Sequence, residues 1–132
     1  MNEYMKEYMV DVPEGQSGNW RVERFVVPSD LLSFQNLRLL LHSDRSVPPG
    51  TYTRLMRRGE FDPVMSDTPD EIRSHLPAIR RIRRVGGRVL INGLGLGLVV
   101  KAALAVPQVA HIDVVEISQD VIHLVGPTYT SD

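Results

Sequence analysis

A chain of 132 residues, 42% of them hydrophobic, suits one small domain with its own core and argues against a disordered chain. With 15 basic and 16 acidic residues the net charge is −1, so composition gives no overall pull toward nucleic acid. The absence of cysteine excludes disulfides and thiolate metal sites, and His42, His75, His111 and His123 show no ligand spacing, so a metal-free protein is expected.

Residues 1–18 (MNEYMKEYMVDVPEGQSG) mix charge with Pro13, Gly15 and Gly18 and show no period, which predicts a flexible arm. They also lack the basic start and apolar run of a secretory leader, and the longest apolar stretch is broken by glycines and Lys101. The expectation is therefore a cytoplasmic chain with no membrane partner. A second region, 19–66, begins with Trp20 to Val27 (WRVERFVV), whose β-branched and aromatic residues predict a strand. Pro28-Ser29-Asp30 then announces a helix carrying Leu31, Phe34, Leu37 and Leu41 on one face. After the turn residues Ser46 to Gly50, Thr51–Met56 and Phe61–Met65 flank Arg57-Arg58-Gly59-Glu60 as a hairpin, with Pro63 confining its second arm to an edge. Tyr52 and Asp67 hold hairpin positions that could face a substrate.

The third region, 67–132, opens with Thr68-Pro69-Asp70-Glu71, a capping box with proline in the first turn. Ile72, Leu76 and Ile79 recur at helical spacing, and Pro77 is expected to kink or divide the helix because it removes a backbone donor. Arg80, Arg81, Arg83 and Arg84 near its C-terminus complement the helix dipole and read as a solvated face. A phosphate or nucleic-acid patch is the alternative, disfavoured because no aromatic residues interleave.

Gly86-Gly87 leads into the most informative stretch. Arg88 to Asn92 is a short apolar run consistent with a strand buried on both faces of a parallel sheet. Gly93-Leu94-Gly95-Leu96-Gly97 follows at once. Glycine suits such a turn because it reaches backbone angles closed to other residues and leaves no Cβ where a cofactor lies against the main chain. Leu98 to Val106 predicts a helix buried on nearly all sides and ended by Pro107, and His111 to Ile117 predicts a second buried strand. Glu116 falls 23 residues after Gly93, close to the offset of roughly 20 at which an acid reaches a ribose hydroxyl. Leucine at position 98, where the dinucleotide pattern needs glycine, argues against a pyrophosphate. The structural alternative is that the glycines only allow a tight helix-to-strand contact and Glu116 faces water.

VLINGLGLG resembles motif I of class I S-adenosylmethionine-dependent methyltransferases, and VVEIS resembles their following acidic motif. A hairpin, a helix and then a glycine-rich strand is similar in order to spermidine synthases, and VVEISQDVI looks like their passage from acid strand to helix. The resemblance covers roughly Thr51 to Val125, with specific motifs from Val89 to Ile117. It implies an α/β fold: a partial Rossmann-like, class I methyltransferase parallel sheet preceded by an N-terminal strand, helix and hairpin. It further implies S-adenosylmethionine as the small-molecule cofactor. Gly93, Gly95 and Gly97 would pass beneath it, with Asn92, Leu94 and Ile117 flanking, and Glu116 would accept bonds from both ribose hydroxyls.

Asn92 stands where many methyltransferases carry an acid, and Leu94 and Leu96 make the turn greasier than theirs. The sequence stops at Asp132, where a second helix is expected to break at Gly126-Pro127, before the later strands on which the family's substrate chemistry is carried. The expectation is the front part of a longer methyltransferase-like protein; the N-terminal strand and hairpin, or a homo-oligomer, covering the open sheet are the other options. No acid–base pair or activated nucleophile stands out, and His123 and Asp120 read as surface residues. Aminopropyl transfer, and a non-catalytic nucleoside-binding or interaction protein, remain as alternatives to methyl transfer.

Overall fold

In the computed structural model, which describes residues 3–29 and 47–130, the N-terminal residues are ordered and packed. A one-turn helix α1 (Glu3–Lys6) leads to a short strand β1 (Gly15–Ser17), and Met5 of the helix is buried with Tyr8, Val10 and Val12 of the connecting segment. From Met5 onward this segment is packed, in place of the flexible arm expected over residues 1–18. Val10 donates its N–H to Asp67 Oδ2 at 3.0 Å, Lys101 Nζ donates to the Met9 carbonyl, and Arg83 donates to the Tyr8 hydroxyl at 2.5 Å. Each partner lies far along the chain, which is why local composition did not disclose the packing.

The strand β2 (Trp20–Val27) forms where its residues predict it, and a turn through Gly18 and Asn19 joins it to β1 with Ser17 opposite Trp20. Its other edge pairs antiparallel with β3 (Gly50–Arg57), in a register that sets Val22 beside Leu55, both buried. The second hairpin arm is shorter than expected: only β4 (Met65–Ser66) pairs with β3, at the sheet edge, while Phe61 and Val64 are exposed. The order of this antiparallel sheet is β1-β2-β3-β4. The helix expected over Leu31 to Leu41 lies outside the described residues.

The next helix, α2 (Pro69–Val85), starts where the sequence places it, with Asp70 and Glu71 in the first turn and Arg83 and Arg84 in the last. Two expectations fail here. Thr68 stands at the N-cap but makes no cap bond, because its hydroxyl pairs with that of Ser66 at 2.9 Å. Pro77 neither divides nor ends the helix; it sits on the exposed side, opposite the buried stripe of Ile72, Leu76 and Ile79. The arginine face is largely solvated, as expected, with Arg83 reaching back to Tyr8 and Glu7.

Beyond Gly86 come β5 (Gly87–Asn92), α3 (Leu98–Leu104), β6 (Val109–Val115) and α4 (Gln119–Tyr129). The strands β5 and β6 pair in parallel, joined by α3, which is the strand–turn–helix–strand unit the sequence predicts, shifted by two residues at β6. The helix α4 runs through Gly126-Pro127 to Tyr129 rather than breaking there, and its N-cap Ser118 accepts from the Val121 N–H. One hydrophobic core extends from Met5 and Val12 through Leu55, Ile72 and Leu98 to Val121 and Val125. Asp120 of α4 is tied to β1, accepting from the Ser17 hydroxyl at 2.8 Å, whereas His123 is exposed.

The expectation that β5 and β6 are buried on both faces is overturned. Val89, Ile91 and Ile112 are half-buried, but on the other face Arg88, Leu90, Asp113 and Val115 are exposed, and Ile117 beyond β6 is fully so. A continuous apolar run does not distinguish a strand with both faces covered from one with a single covered face. The described chain is thus a mixed α/β fold with one antiparallel and one parallel sheet, and none of its described helices is long and apolar enough to cross a membrane.

Candidate functional site

The glycine-rich turn sits at the carboxyl end of β5, and Glu116 follows the carboxyl end of β6 directly beside it. Parallel pairing makes this adjacency: Asn92 is opposite Val115, and the Gly93 N–H donates to the Val115 carbonyl at 2.7 Å. One residue further along each chain, the Leu94 N–H donates to Glu116 Oε1 and the Ser118 N–H to Oε2, both at 2.9 Å. The carboxylate therefore braces the turn and the start of α4 together, in place of the purely solvent-facing acid of the structural alternative. A carboxylate offers about four lone-pair sites, so each oxygen retains acceptor capacity after these two bonds.

The three glycines have different neighbours. A Cβ on Gly97 would lie 2.0 Å from the Tyr129 ring, and one on Gly95 would lie 2.4 Å from the Met65 sulfur. Protein side chains thus already occupy the close approach at these two positions. The Tyr129 hydroxyl donates to the Leu96 carbonyl at 2.8 Å and Met65 sulfur accepts from the Leu96 N–H, so the turn is held from both sides. At Gly93 a Cβ would meet nothing within 4 Å. The open approach to the main chain is at Gly93, flanked by exposed Asn92 and Ile117 with Glu116 behind; Leu94 and Gly97 are buried and Gly95 is half-buried.

Neither Tyr52 nor Asp67 faces a substrate, which corrects that reading. Both are buried: the Tyr52 hydroxyl donates to the Pro48 carbonyl, and Asp67 accepts from the N–H groups of Thr53 at 2.7 Å and Val10 at 3.0 Å. Burial raises the Asp67 carboxyl above the ordinary carboxylate range, opposed by those amide bonds and by the charge of Arg24. Burial also raises the Tyr129 phenol, with the carboxylates of Asp11 and Asp67 adding to the shift, so Tyr129 is a neutral donor at neutral pH. Sequence reasoning missed Met65 and Tyr129 as partners of the turn. No local signal marks them, since they lie in different elements and meet the glycines only in the fold.

Two concavities open beside the parallel sheet. One of about 470 Å³ lies between α3, α4 and β6, with Glu116 and Tyr129 at its rim and Val100, Ile112 and Ile122 in its walls. The other, about 580 Å³, follows β5 from Val89 to Gly93 and is faced by α2. Among the described residues no cluster of histidine, aspartate and glutamate could hold a metal ion. No family model, no curated protein and no solved structure matches the chain.

Proposed function

We propose that this chain binds S-adenosylmethionine through a Rossmann-like half-site and is related in function to methyltransferases, with the acceptor undefined. The observation that carries the reading is the bond from the Leu94 N–H to Glu116, which locks an acid against a glycine turn at the shared carboxyl ends of two parallel strands. Ligands of open α/β sheets bind at such strand ends. Glu116 has acceptor capacity for ribose hydroxyls, and the uncovered main chain at Gly93 leaves room for a nucleoside. A sulfonium nucleoside carries no phosphate, which agrees with a turn whose second and third glycines are filled by Met65 and Tyr129.

A second reading, nucleoside binding without catalysis, is favoured by one observation: Tyr52 and Asp67, polar residues whose hairpin positions could have faced a substrate, are buried and bonded to main chain. Transfer of an aminopropyl group from the decarboxylated cofactor is the variant of the enzymatic reading.

Calorimetric titration of S-adenosylmethionine, its decarboxylated form and NAD into the purified chain tests the proposal. Saturable binding of a sulfonium nucleoside and none of NAD is expected. Each bond to a charged group is worth about 1.5–3 kcal/mol, so Glu116→Gln weakens binding by roughly ten- to a hundred-fold. Circular dichroism of the variant separates lost ligand contacts from a loosened turn. A folded wild-type chain that binds neither sulfonium nucleoside would sink the reading, and methyl transfer by the purified chain would exclude its non-catalytic form.

A further inference from the structure

We infer that the arginine stripe of α2, continued by Arg88 at the start of β5, binds the phosphate backbone of a double-stranded nucleic acid. The charge of the chain is unevenly divided. Seven of its 15 basic residues and none of its 16 acidic ones lie between Glu71 and Asp113, which leaves eight basic against 16 acidic residues elsewhere. The near-zero total thus conceals a strongly positive segment, and it is the local field that an incoming polyanion meets.

The fold gathers this charge on one surface. Arg80, Arg81, Arg84 and Arg88 are exposed, and among the described residues none of their side chains has an ion-pair or hydrogen-bond partner. Arg83, by contrast, is engaged by Tyr8 and Glu7, and Arg73 by Asp70 at 2.6 Å. Helical spacing puts Arg73, Arg80 and Arg84 in one stripe roughly 16 Å long, with Arg81 beside it. Compensation of the helix dipole accounts for little of this, since a helix C-terminus carries only about half a negative charge.

The stripe also stands off the groove along β5, which Arg81 lines but Arg80 and Arg84 do not. Burying a guanidinium without a carboxylate partner is costly, so this surface keeps its solvent whatever packs on the apolar faces nearby. Residues 30–46 carry two acids and two bases and so bring no net charge to neutralise it.

Three properties select a duplex. Six of the seven cations are arginine, whose planar fork takes a phosphate through two bonds. No phenylalanine, tyrosine or tryptophan occurs between Glu71 and Asp113, so the stacking platform that holds single strands is missing. A duplex presents one phosphate charge per about 1.7 Å along a stiff axis, which suits guanidiniums fixed along a helix better than the flexible carboxylates of an acidic peptide do. Contacts of this kind read phosphates and not bases, so binding is independent of sequence. Arg88 lies five residues, roughly 16 Å, from Gly93 along β5, so the inference does not rest on the nucleoside reading.

Fluorescence anisotropy of a labelled duplex of about 20 base pairs, titrated with the full chain, tests this. Micromolar affinity is expected, and four phosphate contacts give a salt slope of about −3.6, so raising salt from about 50 to about 200 mM weakens binding roughly a hundredfold. Arg80→Gln with Arg84→Gln lowers the slope by about two and leaves circular dichroism unchanged, because both side chains are solvated and glutamine suits a helix. Arg57→Gln with Arg58→Gln, which removes the same charge from the exposed turn after β3, leaves binding as it was. Absence of duplex binding at the lower salt, equal loss from the two double variants, or tighter binding of the single strand or of polyglutamate overturns the inference. The stripe variant retains its nucleoside affinity, so failure here and failure of cofactor binding are read apart.

Discussion

Replacing Asp67 should destabilise the fold more than any change at a surface carboxylate, because its side chain is fully buried and joins three parts of the chain. Its oxygens accept from Thr53 in β3 and from Val10 in the N-terminal segment, and its own N–H donates to the Thr53 carbonyl. Asp67→Ala leaves two amides without an acceptor at about 1–3 kcal/mol each, or roughly 2–6 kcal/mol together. A domain of 132 residues has a total stability of roughly 7–20 kcal/mol, so this one substitution removes a large share. Asp67→Asn keeps one acceptor oxygen, and about 1–3 kcal/mol is lost. Urea unfolding followed by fluorescence of Trp20, the single tryptophan, gives both values.

The pH dependence supplies a second readout. Because burial raises the folded carboxyl, the folded chain holds this proton more tightly than the unfolded chain does. The contribution is complete below the unfolded value of about 3.9 and is lost as pH rises through the folded value. The stability gap between wild type and Asp67→Asn is therefore wider near pH 4 than at pH 7. A gap that widens with rising pH, or an Asp67→Ala loss below about 1 kcal/mol, refutes the reasoning.

The phenol of Tyr129 is raised by burial, so the folded chain keeps its proton above the ordinary tyrosine value of about 10; stability falls as pH rises beyond that point, and Tyr129→Phe flattens this alkaline slope in thermal melts. The same variant loses about 1 kcal/mol at neutral pH with the bond to Leu96. Gly97→Ala drives a Cβ into the Tyr129 ring and costs well over the roughly 1–2 kcal/mol of left-handed strain that Gly93→Ala incurs at an open position with φ of 89°. Chemical unfolding of the two variants side by side checks the order, and equal losses would mean that the Tyr129 contact imposes nothing.

What the sequence disclosed was local. Trp20–Val27, the start of α2 at Pro69 and the strand–turn–helix–strand unit around Gly93 follow from periodicity and punctuation within a short window. What it hid depends on partners far away in the chain. Val10 is ordered by Asp67, the Thr68 hydroxyl prefers Ser66 to the helix amides, and Pro77 is tolerated because it sits on the exposed side of α2. The candidate site divides in the same manner. Gly93 and Glu116 were visible as a spacing, while the Met65 sulfur against Gly95 and the Tyr129 ring against Gly97 arise from packing between elements.

The bond from Ser17 to Asp120 spans 103 residues, and Leu124 packs close to Gly15 beside it. During synthesis the amino-terminal hairpin therefore leaves the ribosome long before the helix that receives it exists. Its apolar residues must wait, exposed to chaperones and proteases, until α4 clears the exit tunnel. The helix α4 is thus the latch on the first strands, and their packing is expected to wait until α4 has been made.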